Sequence, residues 1–345
     1  MRTLSMVAAA WLALLSLTAC DNTATQNSAG EVNLYSSRHY DTDLALYDDF
    51  TRDTGIQVNR IEAGADELIA RIQSEGESSP ADLLITVDAG RLWRAEQAGI
   101  FQAVDSVVLT ERLPDNMRHP EGLWIGLSKR ARVIVYNREA GLPTPLADYT
   151  DLADPTHAGK VCIRSSSNIY NVSLMASIVA HLGEAAAELW AEGVVRNFAR
   201  TPQSNDTGQI RAVASGECQI AVVNTYYLAR LAASDDPADL AVAAAVGIVF
   251  PGQQGNGTHV NISGAGVVST SPNRDNAIRF LEYLTSDRAQ SLFADGNNEY
   301  PAVPSVGASS KVVALGEFKE DGLNAAELGV HQATAIMVFD RAGWQ

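Results

Sequence analysis

The stretch "VNLYSSRHYDTDLALYDDFTRDTGIQVNRIEA", residues 32–63, has the pattern of a strand, a helix and a second strand. Short apolar runs stand near both ends, and between them Leu44, Tyr47 and Phe50 recur on one side of the predicted helix. A polar residue before Leu44 can cap the helix, and Gly55 can end it. Such a unit predicts parallel strands with a helix packed against the sheet.

The same alternation continues along the chain. "ADELIARIQSEG" has a helical pattern and "ADLLITV" (81–87) that of a strand, and "KVCIR" (160–164) starts the alternation again. The run "RARVIVYN" (130–137) has no obvious partner helix and is interpreted as a strand that crosses between two lobes. We therefore predict an α/β fold with two lobes around a cleft, each lobe a mainly parallel sheet flanked by helices.

The expected lobe boundaries follow from this alternation. The first lobe is predicted over 31–132, with a return segment at about 259–300, and the second over 133–258, with C-terminal helices at about 301–345.

The composition limits the classes of partner. The chain has 345 residues and a formal net charge of −16. Nucleic-acid binding depends on lysine and arginine at the phosphates, so this acidic balance argues against a nucleic-acid partner.

The N-terminal residues 1–19 have the pattern of a signal peptide, with an apolar segment shorter than the roughly 20 residues of a membrane span. The segment ends at "LTAC", which resembles a bacterial lipobox. We therefore expect a lipid on Cys20 and a polar tether over 20–30. In lipoproteins of this kind, a residue such as Asp21 favours retention at the inner membrane. The alternatives are an ordinary signal peptide cut nearby and an uncleaved anchor.

Apart from Cys20, the chain has two cysteines, Cys162 and Cys218, in apolar strand-like runs. An exported protein can join them in an oxidising compartment. Two buried free thiols are the alternative, and the sequence leaves both open.

Three predicted strand-to-helix junctions carry tyrosine. "VNLY" leads to His39 and Tyr40, "VCIR" leads to Tyr170, and "IAVV" leads to Tyr226 and Tyr227. Ligands of parallel sheets bind outside the carboxyl ends of the strands, so these side chains are expected to meet in the cleft. Neighbours on a helix lie about 100° apart, so the rings of the paired tyrosines are expected to diverge.

A cluster of phenols favours a hard, highly charged cation. Aromatic rings can also hold a sugar or a quaternary amine, but tryptophan suits those ligands better, and none of the five tryptophans lies at these junctions. Oxygen ligands suit hard cations, and a bound cation can deprotonate its ligands. Three phenolates balance Fe3+. A fourth adds one negative charge, which Arg38, Arg164 or Arg230 can offset.

Two other function classes compete with this interpretation. A binding protein of the same fold could hold an oxyanion at the serine-rich helix start, residues 165–167, although helix capping is the simpler role for these serines. A hydrolytic enzyme is less favoured, since the sequence lacks a P-loop lysine and a G-x-S-x-G elbow.

Nearly all of the chain after the leader resembles the ferric-ion-binding proteins of bacterial iron ABC transporters, and among them the cyanobacterial-type branch with a tyrosine cluster. The matching text is "YSSRHYDTD", "SPADLLITVDAGRLWRAEQAG", "VCIRSSSNIYNVSL", "GECQIAVVNTYYLARL" and "EYPAVP". The resemblance implies a type II periplasmic binding protein that is not an enzyme. It implies that Fe3+ is bound by Tyr40, Tyr170, Tyr226 and Tyr227, with His39 as an occasional ligand.

The resemblance also implies a partner, an inner-membrane ABC transporter permease. Together with the lipobox-like segment, it leads us to expect a monomeric, lipid-anchored periplasmic protein. The other main branch has a glutamate ligand just after the "PAD" strand, where this chain has Val87 followed by Asp88, so Asp88 is not assigned as a ligand. That branch completes its site with an anion such as carbonate, whose space Tyr170 can take here. The residues expected around the metal or the anion are Arg38, Ser165, Ser166, Ser167, Asn224 and Arg230.

Overall fold

The computed structural model describes residues 30–203 and 205–345. The predicted signal peptide, the lipidation at Cys20 and the tether before Gly30 lie outside the described residues. Within them, no helix combines the length and the apolar character that a membrane crossing requires.

The first lobe follows the predicted alternation. Its strands are β1 (Glu31–Ser36), β2 (Gln57–Glu62), β3 (Leu83–Val87), β4 (Phe101–Gln102) and β5 (Ile125–Asn137). Its helices are α1 (Leu44–Thr54), α2 (Ala65–Glu75), α3 (Ala89–Gln97) and α4 (Val107–Arg112). β1 pairs in parallel with β2 and with β3, which confirms the unit predicted over 32–63. Gly55 ends α1 with a φ of 73°, a left-handed conformation that suits glycine.

The second lobe repeats the alternation with shorter strands. Its strands are β6 (Val161–Cys162), β7 (Ile220–Asn224) and β8 (Val246–Val249). Its helices are α5 (Ile169–Leu182), α6 (Glu184–Arg196), α7 (Asp206–Ala214), α8 (Thr225–Ala232) and α9 (Pro237–Ala245). β6 and β7 are parallel, so the strands that lead to Tyr170 and to the tyrosine pair end at the same edge.

The chain then returns to the first lobe and ends in helices. These elements are β9 (Val260–Val268), β10 (Tyr300–Pro301), α10 (Arg274–Leu284), α11 (Asp287–Asn297), α12 (Ser310–Val313), α13 (Ala325–Val330) and α14 (Gln332–Ala342). Short 3-10 turns occur at Asp41–Asp43, Gly76–Ser78, Asp115–Met117, Tyr149–Ala153 and Pro155–His157.

The strand β5 is the crossing strand. It pairs antiparallel with β9 as far as Ala131 opposite Val260, and with β7 from Arg132 opposite Asn224 onward. β3 and β9 are antiparallel as well. The sheet is therefore mixed, where the sequence predicted mainly parallel pairing, because the strands that pass between the lobes run against those of the strand–helix units.

Three apolar clusters form the core of the described part of the chain. The first packs around β1 and β3, the second under α5 and α6, and the third on the other face of β5. The structure divides the segment 301–345, which the sequence assigned to the second lobe. Ala325 and Leu328 of α13 lie in the first cluster, whereas Val338 and Phe339 of α14 lie in the second. The lobe to which each of these helices belongs therefore depends on the apolar cluster that buries its side chains, and not on its position in the sequence.

A disulfide bond joins Cys162 to Cys218, with the Cα atoms 5.8 Å apart. Cys162 ends β6, and Cys218 lies just before β7. Of the two states that the sequence left open, the structure contains the bonded one. The bond ties the end of β6, which leads to Tyr170, to the chain just before β7, which leads to Tyr226 and Tyr227.

Candidate metal centre

The paired tyrosines lie in the first turn of α8, which begins directly after β7. Tyr226 is buried, with 3% of its surface exposed, and Tyr227 is half-buried. The two ring centroids are 4.3 Å apart and the planes differ by 33°. The rings therefore lie side by side, and the expected divergence is wrong. The positions of the Cα atoms do not determine where the side-chain torsions place the rings.

Tyr170 reaches the same place from α5. Asn168 caps this helix, and its Oδ1 accepts a hydrogen bond from the backbone N of Tyr170 at 3.1 Å. The Tyr226 hydroxyl donates to the Tyr170 hydroxyl, with the oxygens 3.4 Å apart. Two junctions of the second lobe thus bring their phenols into contact, as the common edge of β6 and β7 requires.

Tyr40 belongs to the first lobe and follows β1. The guanidinium of Arg38 lies 4.8 Å from the centre of the Tyr40 ring. Arg38 is itself buried, with its Nε 2.8 Å from Asp43 and its Nη1 3.2 Å from Glu299. This ion network holds the loop that carries Tyr40.

A cleft of about 330 Å³ lies between the loop after β1 and the start of α5, and Tyr226 and Tyr227 are not among the residues that line it. Its lining comes mainly from the first lobe, and Tyr170 contributes from the second. The lining residues are Ser37, Arg38, His39, Tyr40, Gly64, Ala65, Val87, Arg91 and Tyr170.

Tyr40, Tyr226 and Tyr227 hold their protons when no cation is bound. Burial raises the pKa of Tyr226 well above its ordinary value, and negative charge on Tyr170, Tyr227 and Tyr40 raises it further. Burial likewise raises the pKa of Tyr40, with Glu299 as the next cause. The pKa of Tyr227 is raised by burial and then by Tyr170. These mutual effects place all four phenols within one electrostatic site.

Arginines surround the phenols. The guanidinium carbons of Arg130 and Arg164 lie 5.6 and 5.2 Å from the centre of the Tyr170 ring. That of Arg230 lies 5.9 Å from the Tyr226 ring and 5.8 Å from the Tyr227 ring. Sequence reasoning missed Arg130, although an arginine inside the apolar run of the crossing strand is the signal that could have found it.

The other predicted residues take different places. His39 lines the cleft, but 59% of its side chain is exposed and its Nδ1 lies 3.7 Å from Glu62. The hydroxyls of Ser165 and Ser167 hydrogen-bond each other at 2.8 Å, and Ser166 is half-buried.

Asn224 and Asp88 are buried, and both are hydrogen-bonded to other side chains. Asn224 accepts a hydrogen bond from Arg132 at 3.0 Å. Asp88 is fully buried, caps α3 through Gly90 N and accepts from Ser173, so its carboxylate is already occupied. The residue at the end of the "PAD" strand that lines the cleft is therefore Val87, whose side chain is apolar.

The donor set favours a hard cation of high charge. Among residues 30–203 and 205–345, no group of three or more His, Cys, Asp or Glu side chains could hold a metal. The converging oxygens are phenolic, and a cation must displace their protons in order to bind. A trivalent ion supplies the charge that three or four phenolates need.

Known proteins resemble the chain over most of its length. The sequence pattern of the family described as bacterial extracellular solute-binding protein matches residues 78–319. "Iron uptake protein A1" of Synechocystis is 53% identical over 321 residues, which are 93% of this chain and 89% of that protein.

Solved structures agree with the described fold. A Trichodesmium protein, IdiA or FutA in complex with iron and citrate, has a TM-score of 0.89 and 56% identity over 92% of this chain and 100% of its own. The ferric binding protein from Campylobacter jejuni has a TM-score of 0.85 and 38% identity over 91% of this chain and 100% of its own. These similarities confirm the predicted two-lobed binding-protein fold.

Proposed function

This chain belongs to the bacterial extracellular solute-binding protein family, and from that premise we propose that it captures ferric iron in its interlobe cleft and delivers it to an ABC transporter permease. Its relatives in Synechocystis and Campylobacter are named for iron uptake and ferric binding. The oxyanion alternative has no comparable support, because Ser165 and Ser167 bond to each other.

The observation that carries the proposal is the meeting of phenols from separate strand junctions. Tyr170 and Tyr226 are in contact, the ring of Tyr227 lies beside that of Tyr226, and Tyr40 interacts with them electrostatically from the first lobe. We propose these four as the ferric ligands. His39 stays a candidate for a further position, since it lines the cleft.

The charges of the site support a trivalent cargo. Four phenolates around Fe3+ leave one net negative charge, and three arginine side chains lie within 6 Å of the rings of Tyr170, Tyr226 and Tyr227. A divalent ion would leave two negative charges in a largely buried site, which is costlier. Arg38, Ser165, Ser166, Ser167, Asn224 and Arg230 remain the proposed surroundings of the metal or of an accompanying anion such as carbonate.

The proposed cellular setting follows from the N-terminal sequence. A signal peptide over 1–19, a lipid on Cys20 and attachment to the inner membrane rest on the sequence. We propose a periplasmic monomer that transports rather than transforms its cargo.

An absorbance titration tests the function. Ferric–phenolate bonds absorb visible light by charge transfer, so the protein is expected to become coloured when ferric citrate is added. The double variant Tyr226→Phe, Tyr227→Phe is expected to lose most of the band. Tyr283→Phe removes a phenol that bonds Asp49 in the first lobe, and it serves as the matched control. A colourless wild type, or a band that survives in the double variant, would contradict the proposal.

A further inference from the structure

Arg132 lies where the crossing strand β5 enters the second lobe. Its side chain is 1% exposed. Ala131, Val133 and Val135 pack in the third apolar cluster, so Arg132 projects from the other face of the strand. A guanidinium buried there needs partners, since an unpaired charge inside a protein is costly.

Its partners lie at the starts of three helices. Nη2 of Arg132 donates to Oδ1 of Asn171 at 2.6 Å, in the first turn of α5. Nη1 donates to Oδ1 of Asn224 at 3.0 Å, the residue before α8, and to Oδ2 of Asp206 at 3.2 Å, the first residue of α7. One planar group thus links three separate chain segments.

Two of these segments carry the phenols. Asn171 directly follows Tyr170, and Asn224 comes two residues before Tyr226. The Asn171 amide also donates to the backbone oxygens of Arg164 and Ser165, at 2.6 and 3.2 Å. The contact between the hydroxyls of Tyr170 and Tyr226 therefore spans two helix starts that meet at Arg132.

We propose that Arg132 is a positioning residue for ferric binding, which holds the starts of α5, α7 and α8 so that the second-lobe phenols converge before the metal arrives. The inference rests on the proposed ferric function. Arginine suits the task because its rigid fork presents several donors in one plane, whereas lysine has a single nitrogen on a flexible stem. Residues that hold metal ligands in place typically change metal affinity by about 10- to 100-fold when they are replaced.

The variant Arg132→Lys tests the proposal, with ferric affinity measured by competition against citrate. We expect affinity to fall about 10- to 100-fold and the visible band to weaken. Val194→Ala is the control, because Val194 is fully buried in the second apolar cluster on α6 and is not among the residues bonded to Arg132. It should lower the melting temperature with the band and the affinity unchanged.

A second variant covers the case in which Arg132→Lys does not fold. Asn171→Ala removes one acceptor and leaves the arginine in place. In a cycle with Tyr170→Phe, we expect Asn171→Ala to weaken binding about tenfold alone and to have little further effect once the phenol is gone. Additive losses would indicate a purely structural role and overturn the inference.

The outcomes separate the two proposals. A wild-type protein that gives no visible band with ferric citrate would overturn the ferric function and this inference with it. A normal wild-type band, together with unchanged affinity in Arg132→Lys and in Asn171→Ala, would overturn the role of Arg132 alone.

Discussion

Proton release is the sharpest consequence of a phenolic site. The pKa values of Tyr40, Tyr226 and Tyr227 are all raised, so these three phenols are protonated at neutral pH when the site holds no cation. Each must lose its proton to bind Fe3+ as phenolate. Binding should therefore release at least three protons per ion, and it should strengthen as the pH rises.

The magnitude follows from this count. Each released proton makes binding about 1.4 kcal/mol more favourable for every unit of pH, which is a factor of ten. Three protons correspond to about 4 kcal/mol, or roughly a thousandfold in affinity, for each unit between pH 6 and pH 8. Acid should remove the iron over a narrow range of pH.

The assay counts protons directly. Ferric citrate is added to protein in weak buffer with a pH-sensitive dye. Citrate takes up the same number of protons whenever it gives up its iron, so the phenols are counted from the difference between the wild type and each variant. Tyr226→Phe should release one proton fewer than the wild type, whereas Tyr283→Phe should release the same number. An unchanged count in Tyr226→Phe, or a lower count in Tyr283→Phe, would refute the reasoning.

Four further outcomes are expected. Tyr170→Phe should weaken the visible band and make ferric affinity depend on added carbonate, and an affinity independent of carbonate would mean that no anion takes the vacated position. Tyr40→Phe should keep a visible band from the second-lobe phenols while iron dissociates faster in stopped-flow chelation, so a colourless variant would contradict this division. Arg38→Met leaves two buried carboxylates unpaired, so chemical unfolding should show a loss of about 3–5 kcal/mol; a loss below about 1 kcal/mol would show that the network is not holding the loop. Replacing Cys162 and Cys218 together by serine opens a covalent link across 56 residues, which should lower the free energy of unfolding by about 4 kcal/mol, and an unchanged denaturation midpoint would contradict this.

The junction tyrosines could be predicted to meet because the rule behind them is local. A strand, its following loop and the next helix are contiguous in sequence, and parallel strands end at the same edge. Tyr170 and Tyr226 therefore come together although 56 residues separate them. The crossing strand was also predicted correctly, because an apolar strand-like run without a partner helix is unlike its neighbours.

The features that the sequence did not predict depend on contacts between segments that are far apart in the sequence, or on side-chain packing. Arg130 and Arg132 gain their roles only from the pairing of β5 with β9 and β7, which joins residues about 90 to 140 positions apart. The tilted contact between the rings of Tyr226 and Tyr227 depends on side-chain torsions that packing selects. The split of the C-terminal segment depends on which cluster buries Leu328. None of these contacts can be predicted from a short stretch of neighbouring residues.

The lobes contribute unequally to the proposed site, and this bears on how iron could be held and released. Three phenols belong to the second lobe, where the pairing of β6 with β7, the disulfide and Arg132 fix their helix starts. Only Tyr40 comes from the first lobe, on a loop held by Arg38. With Fe3+ bound, the second-lobe set is electrically neutral and the closed site carries one negative charge. Closure thus adds a ligand at an electrostatic cost that the surrounding arginines reduce, which makes the closed state the one most sensitive to their charge.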